Sequence, residues 1–137
     1  MLKSSLWLLA FAVSGSCFAQ SNVAELEKMG GKKMSKEDLV KLHEGGVTMK
    51  GTIPSGSPYS QINKPDGTVA GTAGPSGQFT LSGTWKIDDQ GRYCHDVAAT
   101  GGIKFNNCVF VWKTADKYYT ANNDGPTAQV RDRQFVK

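Results

Sequence analysis

The stretch RYCHDVAATGGIKFNNCVFVWK, residues 92–113, decides how this chain is read. It opens by setting Cys94, His95 and Asp96 side by side, the residue types of a thiol hydrolase, and it carries a second cysteine at Cys108. Midway between the cysteines stands Gly101, inside "AATGG", which reads as a turn between two strand-like runs. A hairpin turning there places Cys94 directly opposite Cys108. In an oxidising compartment an even pair of this kind is a disulfide, and closing a loop of this size contributes on the order of 3 kcal/mol. Neighbouring side chains on a strand point to opposite faces, so His95 points away from both Cys94 and Asp96. The three cannot line up as nucleophile, base and orienter, and an oxidised Cys94 offers no thiolate for attack. The expectation is a structural strand and no catalytic residue.

Outward from this hairpin, short strand candidates alternate with turn chemistry: "VTMKGTI", "YSQIN", "TVAGT", "QFTLSGTWKI", "RYCHDV", "IKFNNCVFVWK", "YYTA" and "AQVRDRQFV". Between them lie "PSGSP", "KPDG", "AGPSG", "DDQG", "AATGG", "TADK" and "NNDGP", rich in Gly, Pro, Asn and Asp. Such spacing predicts a mainly β fold, an antiparallel meander curling into a barrel or half-barrel. One strand is especially clean: Phe79, Leu81, Trp85 and Ile87 share a face and form the expected core, while Thr80, Ser82, Thr84 and Lys86 share the other. The next register turns on "DDQG". A three-residue loop with Gly91 as the bulge residue puts Ile87 opposite Tyr93 and Trp85 opposite His95, whereas an even-numbered loop puts Trp85 opposite Cys94. The bulge is preferred because Tyr93, Val97, Phe105, Val109 and Val111 then join one apolar face. "CVFVWK" is apolar on both faces, so its outer side must meet the capped helix that precedes the strands, a barrel interior or a partner.

Ahead of the strands, "MSKEDLVKLHEGG" carries a capped helix: Ser35 as N-cap, Asp38 three places on, Met34 set to pack on Leu39, and Gly45 and Gly46 as the stop. Residues 20–34 are a tail or a short helix from about Val23 to Met29, started by Asn22. The first nineteen residues have the layout of a secretory signal peptide: Lys3, an apolar run from Leu6 to Val13, then small residues before Cys17, Phe18 and Ala19. Cleavage between Ala19 and Gln20 is expected, giving a periplasmic or secreted protein whose residues 35–137 form a single disulfide-stapled β domain. A rival reading makes Cys17 a lipid anchor, although Ser14 stands where such signals usually carry Leu. No stretch approaches the roughly 20 apolar residues of a spanning helix.

The formal net charge of +4 becomes +3 once Lys3 is removed. Apart from Lys28, Lys32 and Lys33 the basic residues are scattered, without the clustered aromatics of a nucleic-acid groove, so no nucleic-acid partner is expected. His43 and Glu44 are adjacent on a helix and have no second histidine four places away, so no metal site is expected there. His95 is expected to be satisfied by Thr84, Asn107 or backbone. Gly71, Gly74 and Gly77 are turn glycines rather than a phosphate loop, and no cofactor is expected.

"MSKEDLVKLHEGGVTMKGT", then a tyrosine and "PDGT", "GTWKIDDQGRYC", "NCVFVWKTADKYY" and a late "NDG" resemble, in that order, the small exported bacterial proteins grouped as domain of unknown function 995. The resemblance spans most of the mature chain. It implies a compact sheet with one disulfide and carries over no catalytic residue. The leading functional expectation is a non-enzymatic binding or inhibitor-like module whose partner is an envelope or extracellular protein, a glycan or a small apolar ligand. The alternatives are a structural or lipid-anchored envelope component, and a small envelope enzyme with a dispersed site. The mature protein is expected to begin at Gln20 and to carry one Cys94–Cys108 bond. Intact mass spectrometry of the exported protein checks both; two free thiols, or an acylated Cys17 at the N-terminus, would contradict the reading.

Overall fold

The computed structural model describes residues 21–137, so the expected cleavage site at Ala19 and Gln20 and the alternative anchor Cys17 lie outside the described residues. In chain order the elements are helix α1 (Val23–Lys28), strand β1 (Lys32–Lys33), helix α2 (Lys36–His43) and strands β2 (Val47–Thr52), β3 (Pro58–Asn63), β4 (Thr68–Ala73) and β5 (Phe79–Ile87). They continue with β6 (Tyr93–Ala99), β7 (Ile103–Lys113), β8 (Tyr118–Ala121) and β9 (Arg131–Val136). Each of the strands from β2 to β9 pairs antiparallel with its neighbour in sequence, and β9 returns to pair with β2. The sheet therefore closes on itself as an eight-stranded barrel. The two-residue β1 adds to the edge of β7 beyond the point where β6 ends.

The "DDQG" turn adopts the bulge form. Ile87 lies opposite Tyr93, Asp88 and Arg92 close a three-residue loop, and Gly91 takes a φ of +72°. That parity carries through the hairpin at Gly101 and Gly102, where Cys94 stands opposite Cys108 and is bonded to it. The disulfide sits on the outer face, and Trp85, His95, Val97, Phe105 and Val109 share the inner one. Leu81 is buried inside; Phe79, Trp85 and Ile87 are half-buried and pack on the same interior. The outward Thr80, Ser82, Thr84 and Lys86 are exposed, a polar outer face unlike the apolar band of a barrel that meets lipid. No helix among the described residues is long and apolar enough to cross a membrane.

Two glycines let the wall coil tightly. A Cβ at Gly83 would lie 2.0 Å from the Asp96 carbonyl oxygen, and one at Gly71 2.2 Å from that of Ser60. Only a residue without a side chain permits such close approach of neighbouring strands.

The two helices close different surfaces. Ser35 and Asp38 form a reciprocal capping box, and α2 drives Leu39 into one end of the barrel against Met49, Tyr93 and Val111, with Met34 packed alongside. The outer side of "CVFVWK" meets α1 rather than the capped helix. Val23 and Leu26 of α1 pack on Trp112, Tyr119 and Ala121, and Trp112 is 0% exposed. Helix α1 is thus docked on the barrel, held also by an Asn22–Gln129 bridge and by Trp112 Nε1 donating to Glu27 at 3.2 Å.

Truncating a fully buried tryptophan typically costs about 3–5 kcal/mol. Trp112→Ala is therefore expected to be the most destabilising of three variants compared by urea melts of the oxidised protein. Trp85→Ala, half-buried, should fall below it, and Lys86→Ala should stay within about 0.5 kcal/mol of the parent. Equal melts for the tryptophan variant at 112 and the parent would refute the docking of α1.

Candidate functional site

Positions 39 and 43 lie one helical turn apart, so α2 delivers His43 to the barrel on the same face as Leu39. The imidazole stacks on Trp85 (ring centroids 4.6 Å apart) and Tyr93 (5.5 Å), with the Phe135 edge at 5.8 Å. Its Nδ1 lies 2.8 Å from the Leu39 carbonyl oxygen, which can only accept, so Nδ1 carries the proton. Nε2 then accepts from Asn63 Nδ2 at 3.3 Å. Asn63 Oδ1 in turn accepts from the Tyr93 hydroxyl (3.1 Å) and from Gln61 Nε2 (3.0 Å), and Gln61 also donates to the Tyr93 hydroxyl at 2.8 Å. Every donor in this chain meets an acceptor only if His43 is neutral. Burial, the largest influence, pulls its pKa below the ordinary value, as does the Lys137 charge, while the Leu39 hydrogen bond opposes them. Tyr93 is pushed upward by burial and stays protonated. This end of the barrel is a plug.

At the other end the strands part. β7 pairs with β8 only from Phe110 onward, and β8 pairs with β9 only as far as Arg131. The interior opens there as a cavity of about 590 Å³. Its apolar walls include Ala73, Leu81, Val97, Phe105 and Val109; Tyr59, Gln61, His95, Asn107 and Arg133 supply polar groups, and Arg131 and Lys104 complete the basic lining. Arg133 lies over the Tyr59 ring, 5.6 Å from its centroid. Burial raises the Tyr59 pKa, and the Arg133 charge partly offsets that. His95 corrects the expectation of a satisfied ring: its Nδ1 is buried with no hydrogen-bond partner among the described residues. Its pKa is held below the ordinary value by burial first and then by Arg133, against an opposing pull from Asp96.

The trio at 94–96 divides as strand parity requires. Cys94 is bonded to Cys108 on the outer face, Asp96 is exposed on that face, and His95 lines the cavity. The one cluster of possible metal-ligating atoms among the described residues is Asp88 with Cys94 and Cys108. Its sulfurs are joined to each other, and Asp88 is already held by Arg92, Oδ2 to Nη2 at 2.7 Å. Sequence reasoning missed Arg131, Arg133, Tyr59, Gln61 and Asn63. A signal for the arginines was present: in "RDRQFV" Arg131 and Arg133 alternate onto the face of Phe135. No protein-family model, curated protein or solved structure matches the chain.

Both histidines bind protons more weakly folded than unfolded. Their contribution to stability is complete above the ordinary value of 6.5 and is lost as pH falls from there through the lower folded-state values. The urea midpoint is therefore expected to drop between pH 7 and pH 5, above the range where carboxylates dominate. His43→Gln should flatten that dependence; an unchanged pH profile in this variant would remove His43 as a source.

Proposed function

We propose that the protein is a non-enzymatic, exported binding module that takes a small molecule with a largely apolar body into the open end of its barrel. The observation that carries this reading is the cavity of about 590 Å³, whose apolar wall of Leu81, Val97, Phe105 and Val109 stands beside polar and basic side chains. That size, and an apolar wall meeting hydrogen-bonding side chains, suit a small-molecule site. The non-enzymatic part rests on the separation of candidate groups. His95 is the histidine of the cavity, and the cysteine and aspartate beside it are on the opposite face, one of them bonded to Cys108. Export is supported by the signal-peptide layout of residues 1–19 together with a disulfide, which persists in oxidising compartments. The resemblance to the exported proteins of domain of unknown function 995 is in keeping with export.

The test uses N-phenyl-1-naphthylamine, a neutral probe that fluoresces in apolar surroundings. Saturable binding to the oxidised mature protein is expected, and Ala73→Leu, which fills part of the wall, should weaken it about tenfold without destabilising the fold by more than about 3 kcal/mol. Absence of saturable binding, or binding indifferent to residue 73, would overturn the cavity as the site.

A further inference from the structure

The charges around the cavity are one-sided. Lys104, Arg131 and Arg133 line it, and no Asp or Glu does. Arg133 is built into the wall: Gly51 lies beneath it, where a Cβ would come within 2.8 Å of Arg133 Cδ and 2.9 Å of Nη1, and Tyr59 lies under the guanidinium. Any other residue at position 51 would push the arginine aside. The guanidinium nevertheless has no carboxylate partner among the described residues. Nη1 donates to the Asp132 carbonyl oxygen at 2.6 Å, and among the described residues the ion pairs are Lys33 with Asp124, Lys36 with Asp89 and Arg92 with Asp88. Asp116 and Asp132 border a second, more open groove that Arg133 also reaches, and neither lines the cavity. A half-buried arginine with most of its five donors unused favours an anion with planar oxygens.

His95 adds to this. With Nδ1 buried and unpartnered, the neutral ring keeps its proton on Nε2, because an orphaned buried acceptor costs less than an orphaned donor. Nε2–H is then a second donor on the cavity side. Along the same inward face from His95 the wall is Val97, with Phe105 paired to it and Leu81 packed beside them, which suit a chain or ring and not a second charge.

We infer that the cavity binds an anionic amphipath, a carboxylic acid with an apolar aliphatic or aromatic body, whose carboxylate is held by Arg133 and His95 and whose body lies against Leu81, Val97 and Phe105. This rests on the cavity being the binding site, as proposed above, and goes further in naming the ligand's charge and class.

The experiment displaces bound N-phenyl-1-naphthylamine at neutral pH with n-decanoate, n-decanol and n-decylamine, which share a chain and differ in headgroup charge. Decanoate should compete at least about tenfold better than decanol, and decylamine worst, as a charge-assisted hydrogen bond implies. Arg133→Gln should bring decanoate down to the level of decanol, read as the ratio of the two competitors in the same variant so that a change in probe affinity cancels. Arg131→Gln, at an exposed position, should narrow the gap in the same direction and serves if the first variant is unstable. Decanol competing as well as decanoate would overturn the anion inference while leaving the cavity reading intact. So would full discrimination persisting in the arginine variants. Failure of the probe itself to bind would overturn both.

Discussion

A single parity runs across β5, β6 and β7: Trp85 faces His95, and His95 faces Asn107. It is fixed at one turn by Gly91, whose left-handed φ makes the loop odd-numbered, and at the next by a covalent bond between directly opposed cysteines. A one-residue slip would turn every side chain of a strand to the other face. Here it would bring the disulfide and Asp96 inside and send Tyr93, Val97 and His95 out to water. The plug, the cavity and the docking of α1 all presuppose that this slip does not occur.

Given that parity, the two ends of the barrel solve opposite problems. At one end α2 inserts Leu39 and His43, and the polar groups there are linked: Leu39 carbonyl, His43, Asn63, Tyr93 and Gln61 form a connected network of hydrogen bonds under stacked rings. A buried network of this kind is favourable only when complete. At the other end the groups are unmatched. His95 Nδ1 lacks a partner, Arg133 lacks a counter-ion among the described residues, and the strands separate. Donors and acceptors balance under α2 and stay unmatched in the cavity.

Much of the fold was legible in the sequence. Turn residues at short intervals marked the strands, "MSKEDLVKL" announced its own cap and staple, and the spacing of Cys94 and Cys108 about Gly101 gave the hairpin register. These signals are local: each depends on residues within one turn or one hairpin. Closure by β9 on β2 and the burial of Trp112 beneath α1 were not legible, because they join segments far apart in the chain. The interior of β3 was the least legible. "YSQIN" offers Ile62 as its apolar residue, yet Ile62 is 48% exposed while Gln61 and Asn63 are 2% and 0% exposed.

By itself the sequence determined the antiparallel strand order, the capped helix, the disulfide register and the separation of Cys94, His95 and Asp96, since alternation along a strand and chemistry within a turn or cap need no distant partner. Tertiary structure alone decided which polar residues are tolerated inside. Gln61 and Asn63 are buried because His43 and Tyr93 arrive from α2 and β6 to satisfy them. Arg133 can lie along the wall because Gly51, on the neighbouring strand, leaves space for it. A hydrogen-bond partner or a missing Cβ on another strand is invisible to any window of sequence, and those absent or present atoms are what turn a closed barrel into one with a plug and a charged cavity.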